Sequence, residues 1–147
     1  MKKFVVLFFV LSVPFSLWAA NPSQREPVKI ILETDMGNDV DDVLALDMLY
    51  KSMRSGEAEL LAVCCHKKSD FAPRFVGIMN RWYGYPRIPV GLGAVCIANS
   101  EARDYTESVC TQTQDGKPLF SPRKHFRTED AVTLYRRLLS REKDSSV

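Results

Sequence analysis

Apolar runs and amphipathic segments alternate along the chain from residue 28 onward, and this alternation predicts its secondary structure. The run from Val28 to Glu33 has a continuous apolar centre, which is typical of a strand covered on both faces of a parallel sheet. The segment from Asp41 to Ser55 carries apolar residues at intervals of three and four, which predicts an amphipathic helix, and Gly56 is a stop signal. A strand is therefore expected to lead into a helix through a short acidic stretch.

The next segments repeat the same pattern. Glu59 to His66 predicts a second strand, and Ala72 to Tyr83 predicts a second helix that ends at Gly84. The inward side of this helix is expected to comprise Phe75, Val76, Met79, Trp82 and Tyr83. Ile88 to Val90 predicts a short third strand, and Pro86 before it and Pro89 within it argue against a central place in a sheet.

Beyond the third strand the pattern weakens. Gly93 to Thr128 has no strong periodicity and is expected to be a long loop with a turn at Asp115-Gly116. Thr128 to Leu139 predicts a third helix, and its apolar face is expected to comprise Val132, Leu134, Tyr135, Leu138 and Leu139. The order of strands and helices predicts an α/β fold with a small parallel sheet.

Residues 1–20 have the pattern of a secretory signal peptide, and residues 21–27 read as a linker. Lys2 and Lys3 open the signal, Phe4–Val13 forms its apolar centre, and Ala19-Ala20 offers small residues for cleavage. Removal would bring the formal net charge from +2 to near zero, and no basic stripe suggests a nucleic-acid partner. We expect an exported protein, periplasmic or secreted, with no membrane attachment after cleavage.

Four cysteines occur in 147 residues, and their spacing does not fit a zinc site. Cys64 and Cys65 are adjacent in a predicted buried strand, so they should point to opposite faces and serve as small buried hydrophobes. A disulfide between Cys96 and Cys110 is compatible with export, but the spacing does not determine it.

The acidic stretch between the first strand and helix is the strongest functional signal. Asp35, Asp39, Asp41 and Asp42 lie within eight residues, around Gly37. Aspartates before a helix often act as caps or as partners of the helix dipole, but four exceed what capping requires. A hard cation that takes oxygen ligands would offset their mutual repulsion, and the carboxyl end of a strand is where open α/β sheets bind ligands.

Several segments resemble the inosine-uridine-preferring nucleoside hydrolases. ETDMGNDVDDVLAL is similar to their amino-terminal signature, D-T-D-P-G-x-D-D-A-x-A, with Glu33 and Met36 in place of the usual aspartate and proline. Leu60–Lys67 resembles the second strand of that family, and Trp82–Gly91 resembles its Y-G-R-P-x-I-P-I-G segment. The resemblance implies a Rossmann-like nucleoside hydrolase fold for residues 28–147.

The resemblance also implies a reaction and the residues that carry it. These enzymes use calcium and water to cleave the N-glycosidic bond of ribonucleosides. Asp35 would be a metal ligand and the catalytic base, Asp42 a second metal ligand, and Asp41 a ligand of a ribose hydroxyl. Because two extra residues separate Gly37 from Asp41-Asp42, Asp39 is an alternative for either role of that pair.

Two further features depart from the family pattern. Lys67, Lys68 and Ser69 stand where the family presents a ribose-contacting asparagine. The family chain is about twice as long, so this chain is expected to be its amino-terminal half, truncated before the remaining metal ligands and weak in activity alone.

Other interpretations remain open from the sequence. The chain could be a non-catalytic remnant that binds a carbohydrate or a partner, or a phosphoryl-transfer enzyme with an acidic loop, although Asp35 lacks the pattern of the second class. His66 is expected at a loop edge with a solvent or backbone partner, and His125 at the surface. The sequence does not decide whether copies of the chain form a homo-oligomer.

Overall fold

A parallel β-sheet forms the centre of the protein. The computed structural model describes residues 26–67, 69–97, 104–143 and 147. Strands β1 (Val28–Thr34), β2 (Ala58–Lys67), β3 (Val90–Ile97) and β6 (Glu129–Asp130) lie in the order β1-β2-β3-β6, all parallel. A separate antiparallel hairpin consists of β4 (Thr113–Gln114) and β5 (Lys117–Pro118). The predicted α/β class with a parallel sheet is confirmed.

Four helices are found in the described residues: α1 (Asp41–Ser55), α2 (Phe71–Trp82), α3 (Tyr105–Cys110) and α4 (Ala131–Leu139). Helix α1 begins and ends where the apolar pattern predicted. It ends because Gly56 adopts a left-handed conformation, with φ of 79°, and donates its N–H to Met53 O.

The core is divided between the two faces of the sheet. Helices α1 and α2 cover the larger cluster, which includes Leu46, Tyr50 and Val76, whereas α4 covers a smaller cluster with Ala131 and Leu134. Cys65 belongs to the first cluster and Cys64 to the second, so the predicted opposite orientation of these two buried side chains is confirmed. Cys110 is a free thiol, and the side chain of Cys96, its candidate disulfide partner, lies outside the described part of the structure.

Strand β3 differs from its prediction in length and position. It runs over Val90–Ile97 rather than Ile88–Val90, and it lies between β2 and β6 inside the sheet. Pro89 precedes the strand, so it does not interrupt the ladder, and its carbonyl accepts the N–H of Val63 at 3.1 Å.

The stretch from Gly93 to Thr128, predicted to be a loop, contains regular structure. It includes most of β3, helix α3 and the β4–β5 hairpin, whose turn is at Asp115-Gly116 as predicted, with φ of 52° and 73°. Helix α4 begins at Ala131 and not at Thr128, because Asp130 caps it by accepting the N–H of Thr133 at 2.8 Å.

Three apolar side chains predicted to face inward are exposed. Trp82, Val132 and Leu139 have relative accessibilities of 74%, 53% and 47%. Trp82 is the last residue of α2, and Val132 and Leu139 lie in the first and last turns of α4. Residues 1–25, which hold the predicted signal and most of the linker, lie outside the described residues, and within the described part no helix has the length and hydropathy to cross a membrane.

Candidate functional site

The acidic loop, residues 35–42, follows the carboxyl end of β1 and includes the first two residues of α1. Its first turn is anchored, because the buried hydroxyl of Thr34 accepts the backbone N–H of Met36 at 3.0 Å. The Met36 side chain is fully buried in the larger core cluster. This buried methionine holds the loop close to the sheet while its carboxylates remain exposed or half-buried.

The four aspartates approach one another in two pairs. The pKa of Asp42 is raised by burial and by the carboxyl group of Asp35, which lies within hydrogen-bonding reach, while Thr34 acts in the opposite direction. The pKa of Asp39 is raised by a hydrogen bond with Asp41 and by the charge of the same group, with a smaller effect from Asp35. Negative charge is therefore concentrated in the loop, and Asp35 affects the pKa of a carboxyl group in each pair.

Helix capping does not account for this arrangement. The N-cap residue of α1 is Val40, and no side chain caps the helix through a hydrogen bond. Among the described residues, no Lys or Arg lies within ion-pair distance of the four carboxylates. Asp41 and Asp42 lie in the first turn of α1, where the helix dipole favours negative charge, but this offers only partial compensation.

A buried lysine supports the loop from the side of β2. Lys67 is 5% exposed, and its Nζ donates to Asn38 Oδ1 at 2.9 Å and lies 3.3 Å from Asp104 Oδ2. The ammonium group lies directly over Gly37, whose φ of 143° is in the region that favours glycine, and a Cβ at this position would collide with Nζ. Lys67 is therefore a structural cation of the loop.

Asp104 is a second residue that supports the acidic loop, through its contact with Lys67, and it was not predicted from the sequence. It accepts from Thr106 N at 2.9 Å and from Ser69 Oγ at 3.0 Å, and it caps α3. Burial raises its pKa, but the hydrogen bonds from Thr106, Ser69 and Lys67 outweigh burial, so the pKa lies below its ordinary value. Asp104 followed by Thr106 and Glu107 is an N-terminal helix signal that could have located this helix.

Tyr105, the residue after Asp104, connects this part of the chain to the acidic loop. Its N–H donates to Gly37 O at 3.0 Å, and its hydroxyl is a buried atom with no hydrogen-bond partner among the described residues. Burial and the charge of Asp42 raise the pKa of this phenol. The tyrosine therefore lies close to the Asp42 end of the carboxylate cluster.

Glu33 and His66 form a separate pair at the ends of β1 and β2. His66 Nδ1 lies 3.2 Å from Glu33 Oε2, and the hydroxyl of Tyr135 donates to Glu33 Oε1 at 2.8 Å. The expected solvent or backbone partner of His66 is therefore wrong, since its partner is a carboxylate. Both oxygens of Glu33 are engaged outside the acidic loop. His125 is exposed, as predicted.

The donor chemistry of the loop fits calcium, which prefers oxygen ligands, and Asp35, Asp42, Asp41 and Asp39 supply only such ligands. Their positions provide two carboxylate pairs, and within residues 26–67, 69–97 and 104–143 no group of three or more side chains is arranged to hold a metal ion. Further ligands would have to come from water and from the substrate. In comparisons with known proteins, no family model and no curated protein sequence matched the chain.

Proposed function

We propose that the chain is a nucleoside hydrolase-like protein whose acidic loop binds calcium and the ribose of a ribonucleoside, for hydrolysis of the N-glycosidic bond. The observation that carries this proposal is the pairing of Asp35 with Asp42 and of Asp39 with Asp41 at the carboxyl end of β1, with no neutralising Lys or Arg among the described residues. A site with excess carboxylate suits a divalent cation and a polyhydroxylated ligand better than an anionic one.

In this proposal Asp35 and Asp42 hold the ion. Bound calcium would orient two ribose hydroxyls and make a nearby water easier to deprotonate. Asp35 accepts the proton of the attacking water, and Asp41 accepts a hydrogen bond from a ribose hydroxyl. Asp39, whose pKa is raised by Asp41, is the alternative for either role of the Asp41-Asp42 pair.

The charge of the loop also favours the reaction electrostatically. Cleavage of an N-glycosidic bond develops positive charge on the sugar ring, as in other glycoside hydrolyses. Carboxylates held on a loop that is fixed by Thr34, Met36 and Lys67 need not reorganise as that charge develops. The supports of the loop are thus a part of its proposed chemistry.

A nucleoside-binding and turnover assay tests the proposal. Inosine and uridine are titrated into the full chain with calcium, and release of ribose is measured in the same samples. We expect calcium-dependent nucleoside binding but weak turnover, because two carboxylate pairs fall short of the six to eight oxygens that calcium takes. Asp35→Asn should abolish binding, whereas Asp115→Asn, an exposed hairpin position, should leave it unchanged.

Two other results of this assay would point away from a hydrolase. Binding with no ribose release at any enzyme concentration would indicate a carbohydrate-binding module built on the same loop. Absence of nucleoside binding in the presence of calcium would contradict the proposal.

A further inference from the structure

A basic cavity lies on the α2 side of the sheet and does not include the acidic loop. Its volume is about 510 Å³, and it is lined by the start of α2, by Leu92 of β3 and by the segment 122–128. None of the four loop aspartates lines it. The basic cavity is therefore separate from the acidic loop, and the charge of its lining residues is opposite to that of the loop.

The charge of the basic cavity is unbalanced. Its walls contain three guanidinium groups, those of Arg74, Arg123 and Arg127, together with His125, against the single carboxylate of Asp70. In the described part of the chain none of these arginines forms an ion pair, whereas Arg137 nearby donates to both oxygens of Glu129 at 2.9 and 2.8 Å.

Arg74 adds an unsatisfied donor. Its Nε is buried and has no hydrogen-bond partner among the described residues. Three arginines line the basic cavity against one carboxylate, and a bound anion would offset this excess of positive charge.

The segment that carries two of these arginines is held in place. Phe126 N donates to Arg123 O at 3.1 Å across a turn in which His125 has a φ of 60°, a conformation that non-glycine residues adopt at a cost. The Phe126 ring packs so closely on Gly77 that a Cβ there would lie 2.6 Å from it.

The same segment is also tied to α2 from the other side. Arg81 Nη1 donates to Ser121 Oγ at 2.9 Å and to Pro122 O at 3.2 Å. The backbone that carries Arg123, His125 and Arg127, all of which line the basic cavity, is thereby held in place before any ligand arrives, which lowers the entropic cost of binding.

We propose that the basic cavity binds the phosphate group of a phosphorylated small molecule. Guanidinium forks match the oxygens of a phosphate dianion, which can accept from several arginines at once, better than they match a single carboxylate. The start of α2 contributes its dipole, but Ser69 Oγ already accepts the N–H groups of Phe71 and Ala72, so the specific contacts come from the side chains. The volume admits a sugar-sized body beside the phosphate.

Calorimetric titrations of the full chain test this inference. Inorganic phosphate, ribose 5-phosphate and ribose are each added at constant ionic strength, with a chelator present so that the acidic loop holds no calcium. Both phosphate compounds should bind and ribose should not. Tighter binding of ribose 5-phosphate identifies a phosphomonoester as the ligand, and equal affinities identify the free anion.

Matched variants assign the binding to the basic cavity. The double variant Arg123→Gln and Arg127→Gln, both exposed positions, should weaken phosphate binding roughly ten- to a hundredfold, because each lost charge-assisted hydrogen bond contributes to affinity. Arg54→Gln, on α1, makes the same type of charge change outside the cavity and should leave affinity unchanged. No saturable heat with either phosphate compound, or an equal loss in Arg54→Gln, would overturn the inference.

Discussion

At the residue scale, the acidic loop depends on one glycine and one buried cation. Gly37 has a backbone conformation that other residues avoid, and the absence of its side chain leaves room for the ammonium of Lys67. Lys67 in turn joins Asn38 of the loop to Asp104. The carboxylates are thus positioned from outside by groups that do not belong to the acidic cluster.

Replacement of Gly37 tests this support. Gly37→Ala should lower the free energy of unfolding by roughly 3 kcal/mol or more, because backbone strain adds to the collision with Lys67 Nζ. Gly84→Ala is the control, since Gly84 also has positive φ but open space around it, and it should cost about 1–2 kcal/mol. Urea unfolding measures both, and equal losses would show that the contact with Lys67 is not required.

Asp104 gives a pH-dependent prediction. Its pKa is lowered in the folded chain, so the folded state binds a proton there less readily than the unfolded state, whose value is about 3.9. The stabilisation is therefore complete above the unfolded pKa and is lost as pH falls through the lower folded value. Asp104→Asn should cost about 1–3 kcal/mol at pH 7, from weaker hydrogen bonds.

The free energies of unfolding of Asp104→Asn and of the natural chain should differ less at acidic pH. Urea unfolding from pH 7 to pH 2 should show the two stabilities converging below about pH 4, where the carboxylate becomes protonated. A difference that stays constant over the whole range would mean that the charge of Asp104 contributes nothing.

At the element scale, the helices and strands with the clearest local sequence pattern were predicted correctly, and those with a weak pattern were not. Helix α1 matched its prediction because its stripe is long and Gly56 ends it, and the two faces of β2 were foreseen from Cys64 and Cys65 alone. Strand β3 was misplaced because Pro89 and two glycines dilute its apolar signal. Helix α3 has only six residues, too few for a helical period to be recognised.

Helix α2 joins α1 to the entry of β3 through one buried amide. Asn80 is 1% exposed, accepts from the hydroxyl of Tyr50 at 2.7 Å and donates to Ile88 O at 3.2 Å. Asn80→Ala should therefore lower the free energy of unfolding by roughly 2–4 kcal/mol, since two buried polar groups lose their partner.

Trp82 on the same helix is the control for this prediction. Because it is 74% exposed, Trp82→Ala should change the free energy of unfolding by only about 0.5 kcal/mol. Thermal or urea unfolding of the two variants checks the contrast. A larger loss at Trp82 than at Asn80 would contradict the packing of α2 described above.

At the scale of the whole molecule, one small sheet carries an acidic loop and a separate basic cavity. The acidic loop could be predicted from the sequence, because its four aspartates are neighbours in the chain. Its supports could not, since Lys67, Asp104 and Tyr105 meet the loop only through tertiary contacts. The basic cavity escaped prediction for the same reason: Arg74 and Arg127 are far apart in sequence.

The excess negative charge of the acidic loop predicts that one substitution raises the stability of the calcium-free chain and removes its response to calcium. The pKa of Asp42 is raised in the folded chain, so its ionised form destabilises the fold at neutral pH, and stability should increase as pH falls toward that pKa. Asp42→Asn should then stabilise the calcium-free chain at pH 7, because it removes a partly buried charge that faces Asp35. The same change removes a proposed calcium ligand.

Urea unfolding with and without calcium therefore tests the central claim most directly. For the natural chain, calcium at ten to a hundred times its dissociation constant should raise the free energy of unfolding by about 1.5–3 kcal/mol. Asp42→Asn should be more stable than the natural chain without calcium and gain nothing when calcium is added, whereas Asp115→Asn should respond like the natural chain. If calcium stabilises the natural chain and Asp42→Asn equally, or stabilises neither, the acidic loop is not a calcium site.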